Sequence, residues 1–298
     1  MCGRVIFVAM TSEPLHSIEA NVGRVLVVGL PETGKSSFIQ ALDEVLKHPA
    51  SPNDLRACGL AYDRTYIQKG KKDFLAGKKL GRTILPLENT SVELLFEHPP
   101  TGRRGRLHLP DKKGEVFRDQ WVNRQWDKEY RESLVGIAGA LVFLRADEKP
   151  RNDELLGIIA METYQAGNVL RPFDLKDASA QVQLVDVLQF IVGYGNVPEP
   201  LRVAVLISAW DTVALEGDIR PQEPAKFLER EWALLAQYLR ANPQCFVAKI
   251  FGVSAYGGTP GELGPLVDLP AHERSRLTDG TETARDLTRP LRWLLELD

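Results

Sequence analysis

The octapeptide Gly29-Leu30-Pro31-Glu32-Thr33-Gly34-Lys35-Ser36 is a full match to GxxxxGK[ST]. In such a loop successive backbone N–H groups turn inward around phosphate oxygens, and the N-terminus of the following helix adds partial positive charge. Gly29 and Gly34 permit backbone angles and close approaches that a Cβ would block. Lys35 is expected to reach the β- and γ-phosphates and the Ser36 hydroxyl to ligate Mg²⁺. The nucleotide-binding set at this loop is read as Gly29, Leu30, Pro31, Glu32, Thr33, Gly34, Lys35, Ser36 and Ser37. A glycine-containing turn can match the pattern by chance. Here the loop follows VLVV and opens an amphipathic segment, which is the setting the chemistry demands.

Two further stretches have the chemistry to complete a nucleotide site. Asp111-Lys112-Lys113-Gly114 follows RLHLP, so Asp111 can support Mg²⁺ and the Gly114 N–H can sense a γ-phosphate. Ser208-Ala209-Trp210-Asp211 follows the apolar run LRVAVLI. A carboxylate at Asp211 can accept from both guanine N1–H and the exocyclic amine, a donor pair adenine lacks. A site built on such a pair can reject the wrong base by about 10⁴-fold. The backbone of Ser254-Ala255-Tyr256 could meet the guanine O6, which puts Ser254 and Ala255 in the binding set. Taken singly, Asp211 reads equally well as a helix cap.

The ordered set GLPETGKS, DKKG, SAWD and SAY resembles that of the Ras-like, translation-factor-related (TRAFAC-type) P-loop GTPases. The resemblance runs from about residue 21 to the end. Within that class the chain is most similar to the bacterial double-GTPase group of conflict systems, through DxxGE, a tryptophan in a [ST]xWD base motif and a closing RPLRWLL. The resemblance implies a three-layer α/β sandwich with a mostly parallel six-stranded sheet, one strand antiparallel and helices on both faces. It also implies GTP/GDP, Mg²⁺ and a switch driven by the γ-phosphate. A switch threonine should then reach the metal, and Thr90, directly before the strand SVELLFE, is the first choice, ahead of Thr83 and Thr65. Glu115 stands where many relatives carry a water-orienting glutamine, so Lys35, Gly114 and Glu115 form the expected catalytic set, and Ser36, Thr90 and Asp111 the metal set. Departures exist. The family's [NT]KxD has Ser208 and Ala209 for its first two residues, so no lysine stem packs over the base, a loss Trp210 could offset. Glu32 replaces the asparagine of the GxPNxGKS variant, so potassium dependence is not expected.

These residues need a scaffold. Apolar β-branched runs alternate with amphipathic stretches, the pattern of a mostly parallel sheet covered by helices. Strands are expected at 24–28, 91–97, 106–110, 139–144, 201–207 and 245–253. Helices are expected from 35 through SSFIQALDEVLKH and at 116–134, 180–192, 224–239 and 283–297, the last interrupted or kinked at Pro290. Residues 49–82 and 147–200 read as insertions in one domain, 21–298, and residues 1–20 as a leader, with Met10 an alternative start. Residues 64–82 carry seven basic side chains opposed by Asp73 alone. A solvated loop accounts for them more simply than a lipid, nucleic-acid or protein contact.

Composition narrows the field. Thirty-seven basic and 40 acidic residues leave a net charge of −3, which argues against a general nucleic-acid binder. With 44% hydrophobic residues the chain can bury a core. Cys2, Cys58 and Cys245 fit no zinc spacing or disulfide framework, and no run approaches the roughly 20 apolar residues of a spanning helix, so a cytoplasmic protein is expected. Its partner would be a protein effector, a companion GTPase-like protein or a second copy. Hydrolysis should be slow unaided, because an inserted arginine can contribute about 10³–10⁵-fold, and nothing assigns that role to Arg103, Arg104 or Arg118. Two other readings remain open: a nucleotide-dependent interaction module with little turnover, and an ATP-using P-loop protein.

Overall fold

A computed structural model describes residues 22–59, 65–81, 92–110, 123, 128–147, 178–194, 196–213 and 223–297. Its centre is five parallel-paired strands: β1 (Val22–Gly29), β4 (Arg103–Leu109), β5 (Ile137–Arg145), β6 (Leu201–Ser208) and β7 (Phe246–Ser254), in the order β4-β1-β5-β6-β7. β3 (Val92–His98) runs antiparallel to β4 and supplies the sixth strand expected from the sequence. The sheet does not stop there. β2 (Arg56–Ala57) lies outside β3, and β8 (Arg276–Thr278) and β9 (Thr283–Ala284) extend it beyond β7. The expected six strands with one antiparallel member are thus corrected to nine among the described residues, with antiparallel pairing at β2–β3, β3–β4, β7–β8 and β8–β9. The extra strands are two or three residues long. They exist because an edge offers unpaired N–H and C=O groups, and they are too short to carry a period-two signal.

Alternation along the strands loads both faces. Val25, Val27, Leu141, Phe143, Ala204, Leu206, Phe251 and Val253 enter one buried cluster, and Leu26, Val28, Ala140, Val142, Leu144, Val203, Val205 and Ile207 enter another. Helix α1 (Lys35–Lys47) covers the first face with Phe38, Leu42 and Leu46, and its Phe38 ring meets Phe143 edge-on at 5.2 Å. The second face is covered by α3 (Lys128–Leu134), α4 (Ala180–Tyr194), α6 (Pro224–Glu231) and α7 (Ala233–Ala241). The expected single helix over 224–239 is interrupted at Trp232, which takes φ −125° and is fully buried. The expected closing helix at 283–297 is shorter. It becomes β9, a turn and α8 (Arg289–Leu294), with Pro290 in the first helical turn, where its missing N–H costs nothing.

Part of the basic stretch is folded. Helix α2 (Thr65–Leu75) buries Ile67 and Phe74 against the first face, receives a hydrogen bond from Gln40 Nε2 at the Ile67 carbonyl (2.8 Å), and pairs Lys71 with Glu44 at 2.8 Å. The solvated-loop expectation is corrected accordingly. An apolar pair seven residues apart was the available signal, and the lysines between obscured it. Among the described residues no helix is long and apolar enough to cross a membrane.

Candidate nucleotide site

Because β4, β1, β5, β6 and β7 are parallel, their C-terminal ends share one edge of the sheet. The chain crosses from one side of β1 to the other, to β4 and to β5, so the strand order reverses at β1. Open α/β sheets bind ligands in the crevice outside the strand ends at such a reversal. The loop at residues 29–36 leaves β1 there. A Cβ on Gly29 would come within 2.9 Å of Phe143 Cβ and Thr33 Oγ1, and Gly34, at φ 85°, caps α1 with Ser208 Oγ 2.7 Å from the place a Cβ would take. Both positions therefore demand glycine.

The loop closes on itself. The buried Thr33 hydroxyl donates to the Leu30 carbonyl at 2.8 Å. Lys35 Nζ donates to the Gly29 carbonyl at 2.8 Å and the Leu30 carbonyl at 2.5 Å, with Thr33 Oγ1 at 3.3 Å. Burial lowers the Lys35 pKa to about 8. Pro31 and Glu32 are exposed on the loop's outer turn, and Glu32 takes φ 65°. Ser36 and Ser37 lie in the first turn of α1. Ser37 faces the Tyr256 hydroxyl, which donates to the Lys78 carbonyl at 2.9 Å; burial raises the Tyr256 pKa, and the Ser37 contact opposes that rise.

The base-motif residues stand at the same edge. Ser208 ends β6 and donates its hydroxyl to the Thr33 carbonyl at 2.9 Å, joining the two motifs directly. Ala209 turns the chain at φ 53°, and the short helix α5 (Trp210–Val213) then presents Asp211. Ser254, the last residue of β7, donates its hydroxyl to Asp211 Oδ1 at 2.6 Å, so this carboxylate is oriented by the neighbouring strand. Ala255 packs on the first cluster. Trp210 does something other than the expected cover of a base. Its ring occupies the space over Gly252, where a Cβ would lie 2.4 Å away, and meets Phe227 edge-on at 5.4 Å.

Thr83, Thr90, Asp111, Gly114, Glu115 and Arg118 lie outside the described residues, as does the Thr65 side chain. Arg103 and Arg104 sit at the start of β4, where Arg104 pairs with Val22 at the opposite end of β1 from the phosphate loop. At about 3.3 Å per residue they are some 20 Å from it. Among the described residues no group of three His, Cys, Asp or Glu could hold a metal. A Mg²⁺ ion here would use the Ser36 hydroxyl together with phosphate oxygens, which fits the usual way this ion is held. Sequence reasoning overlooked Arg145 at the end of β5. Its Nη1 lies 3.3 Å from the Glu32 carbonyl, a contact that depends on strand register and leaves no motif.

A glycine-lysine loop at the reversal point, tied through Ser208 to a carboxylate two strands away, defines a P-loop nucleotide-binding fold. The chain belongs to the Double-GTPase 1 family, whose profile matches residues 26–294, and that membership supports guanine-nucleotide binding. Among solved structures it is similar to a bacterial selenocysteine-specific elongation factor EF-Sec, with 10% identity, a TM-score of 0.40, and coverage of 93% of this chain and 29% of that one. It is also similar to the signal recognition particle receptor SRb-GTP/SRX complex from Chaetomium thermophilum, with 13% identity, a TM-score of 0.34, and coverage of 78% and 90%. The chain thus spans less than a third of the elongation factor's length. No curated protein sequence matches it.

Proposed function

We propose that this protein is a cytoplasmic GTP-binding switch that hydrolyses GTP to GDP with Mg²⁺, slowly when alone. The observation that carries the reading is the tie between Ser208 Oγ and the Thr33 carbonyl, which fixes Lys35 and Asp211 at one edge of the sheet. Lys35 and the loop amides grip the phosphates, and Asp211, braced by Ser254, selects guanine. Ser36 and Thr90 would hold a Mg²⁺ ion, with Asp111 supporting it, and the ion would supply positive charge against the phosphates. A water positioned by Glu115 attacks the γ-phosphorus in line, the bond to the β–γ bridging oxygen breaks, and GDP and phosphate leave. Gly114 reports the γ-phosphate to a protein effector, a companion GTPase-like protein or a second copy.

A second reading, an interaction module with little turnover, draws on Glu115, whose charge would repel the γ-phosphate, and on the alanine at position 209. Single-turnover hydrolysis of bound GTP, with and without cell extract, separates the two. Turnover that extract accelerates supports the switch, and GTP left intact under both conditions contradicts it.

The Lys35 pKa makes binding pH-dependent. A phosphate beside the ammonium raises its pKa, so nucleotide binding above about pH 8 must take up a proton, and affinity falls there by up to about tenfold per pH unit. Calorimetry at about pH 8.5 in buffers of different ionisation enthalpy should register net uptake of up to about three-quarters of a proton. Binding without uptake would mean that Lys35 does not meet the phosphates.

A further inference from the structure

Arg145 is the last residue of β5 and pairs in register with Ser208, the last residue of β6. Among the described residues its guanidinium makes three hydrogen bonds. Nη1 donates to the Glu32 carbonyl at 3.3 Å, Nη2 donates to Asp147 Oδ2 at 2.8 Å, and Nε donates to Asp147 Oδ1. Arginine beside it also keeps the Asp147 carboxyl below its usual range, so the pair stays ionised at neutral pH. A planar guanidinium gripping a carboxylate on two nitrogens has a fixed direction, unlike a lone ammonium.

The phosphate loop has a reason to need it. A loop that turns its N–H groups inward around an anion turns carbonyls outward, and those carbonyls must find donors elsewhere. Two consecutive loop carbonyls find theirs on one cross-strand pair: that of Thr33 receives the Ser208 hydroxyl at 2.9 Å, and that of Glu32 receives Arg145. Glu32 holds φ 65°, a conformation costly for a residue with a Cβ, so its neighbours must impose it. The chain continues from Ser208 directly into Ala209 and Asp211. Ala209 ends in a methyl group and supplies neither charge nor donor. Beside it, at the end of the neighbouring strand, the Arg145 guanidinium reaches the loop.

We infer that Arg145, braced by Asp147, is a positioning residue of the nucleotide site: it straps the phosphate loop to the end of β5, which stands in register with the end of the base-motif strand β6, so that the phosphates and base of one purine nucleoside diphosphate or triphosphate are gripped at a fixed spacing. The inference rests on the guanine-nucleotide reading above.

Titration of the full chain with GDP and, separately, with pyrophosphate tests it. Arg145→Ala should weaken GDP by about 10- to 100-fold but pyrophosphate by only a few-fold, because each half of the site survives while their spacing does not. Arg145→Lys, which can still donate to the Glu32 carbonyl but loses the two-point grip on Asp147, should recover only part of the GDP affinity. Should Arg145→Ala fail to fold, Asp147→Ala keeps the arginine and removes its brace, with an expected loss of several-fold for GDP alone. Unchanged GDP binding in a folded Arg145→Ala protein, or in Asp147→Ala where that is the variant available, overturns the inference. So does an equal loss for GDP and pyrophosphate, which would indicate a collapsed loop. If the unaltered protein binds pyrophosphate but not GDP, the guanine reading itself is wrong and the inference falls with it.

Discussion

Lys35→Ala is expected to lower GDP and GTP affinity by about 100-fold or more, roughly the 3 kcal/mol lost when one partner of a buried charge pair is removed. The same change should leave the nucleotide-free protein at least as stable as before. Burial lowers the Lys35 pKa to about 8, against about 10.4 for an unfolded lysine, so folding disfavours its ammonium. That penalty is present in full below about pH 8 and fades as pH rises toward 10.4, because a depressed lysine binds fewer protons folded than unfolded. Alanine removes the penalty and also the ties to the Gly29 and Leu30 carbonyls, two effects of opposite sign. Thermal melting without nucleotide, set beside a binding titration, reads both quantities. A large fall in melting temperature with binding retained would make Lys35 a structural clamp on its own loop.

Asp211→Asn should exchange one base for another. The carboxylate accepts the Ser254 hydroxyl at 2.6 Å and retains lone pairs for the guanine N1–H and amine, since a carboxylate offers about four acceptor sites. An amide presents one acceptor and one donor, and that pattern suits the xanthine edge. Guanine nucleotides should weaken by about 100-fold or more while xanthosine nucleotides gain, so preference inverts without a change in total capacity. Titrating GDP and XDP against both proteins measures the inversion. Equal losses for the two ligands would place Asp211 in the framework, holding Ser254.

The fold was legible where burial imposes a period. β1 was expected at 24–28 and spans Val22–Gly29, and β6 was expected at 201–207 and spans Leu201–Ser208. Both are inner strands whose alternate residues must fill two cores. Elements formed by pairing or by a local break left weaker marks. β8 and β9 are made by the edge of β7, and the halves of the 224–241 segment are divided by the burial of Trp232. The proline at 290 was read as an interruption or kink because the helix was placed too early; the same residue is a start signal once the helix begins at Arg289. Within the site, the loop at 29–36 and the residues at 208–211 were visible because their backbone chemistry restricts the side chains allowed. Arg145 was invisible because its role follows from its register with Ser208, and register is a property of two strands together. Trp210 was visible, but the place of its ring was not. Nothing near it in the sequence shows that Gly252 leaves room for its ring on the sheet.

The most direct test is displacement of a fluorescent guanine nucleotide from the unaltered protein by GTP, GDP and ATP under one set of conditions. A pocket in which Lys35 and Asp211 act on one ligand requires GTP and GDP to compete at concentrations at least about 100-fold below those of ATP. If ATP displaces the probe as readily as GTP, the carboxylate at the end of β6 is not reading a base, and the loop at residues 29–36 serves a different nucleotide chemistry.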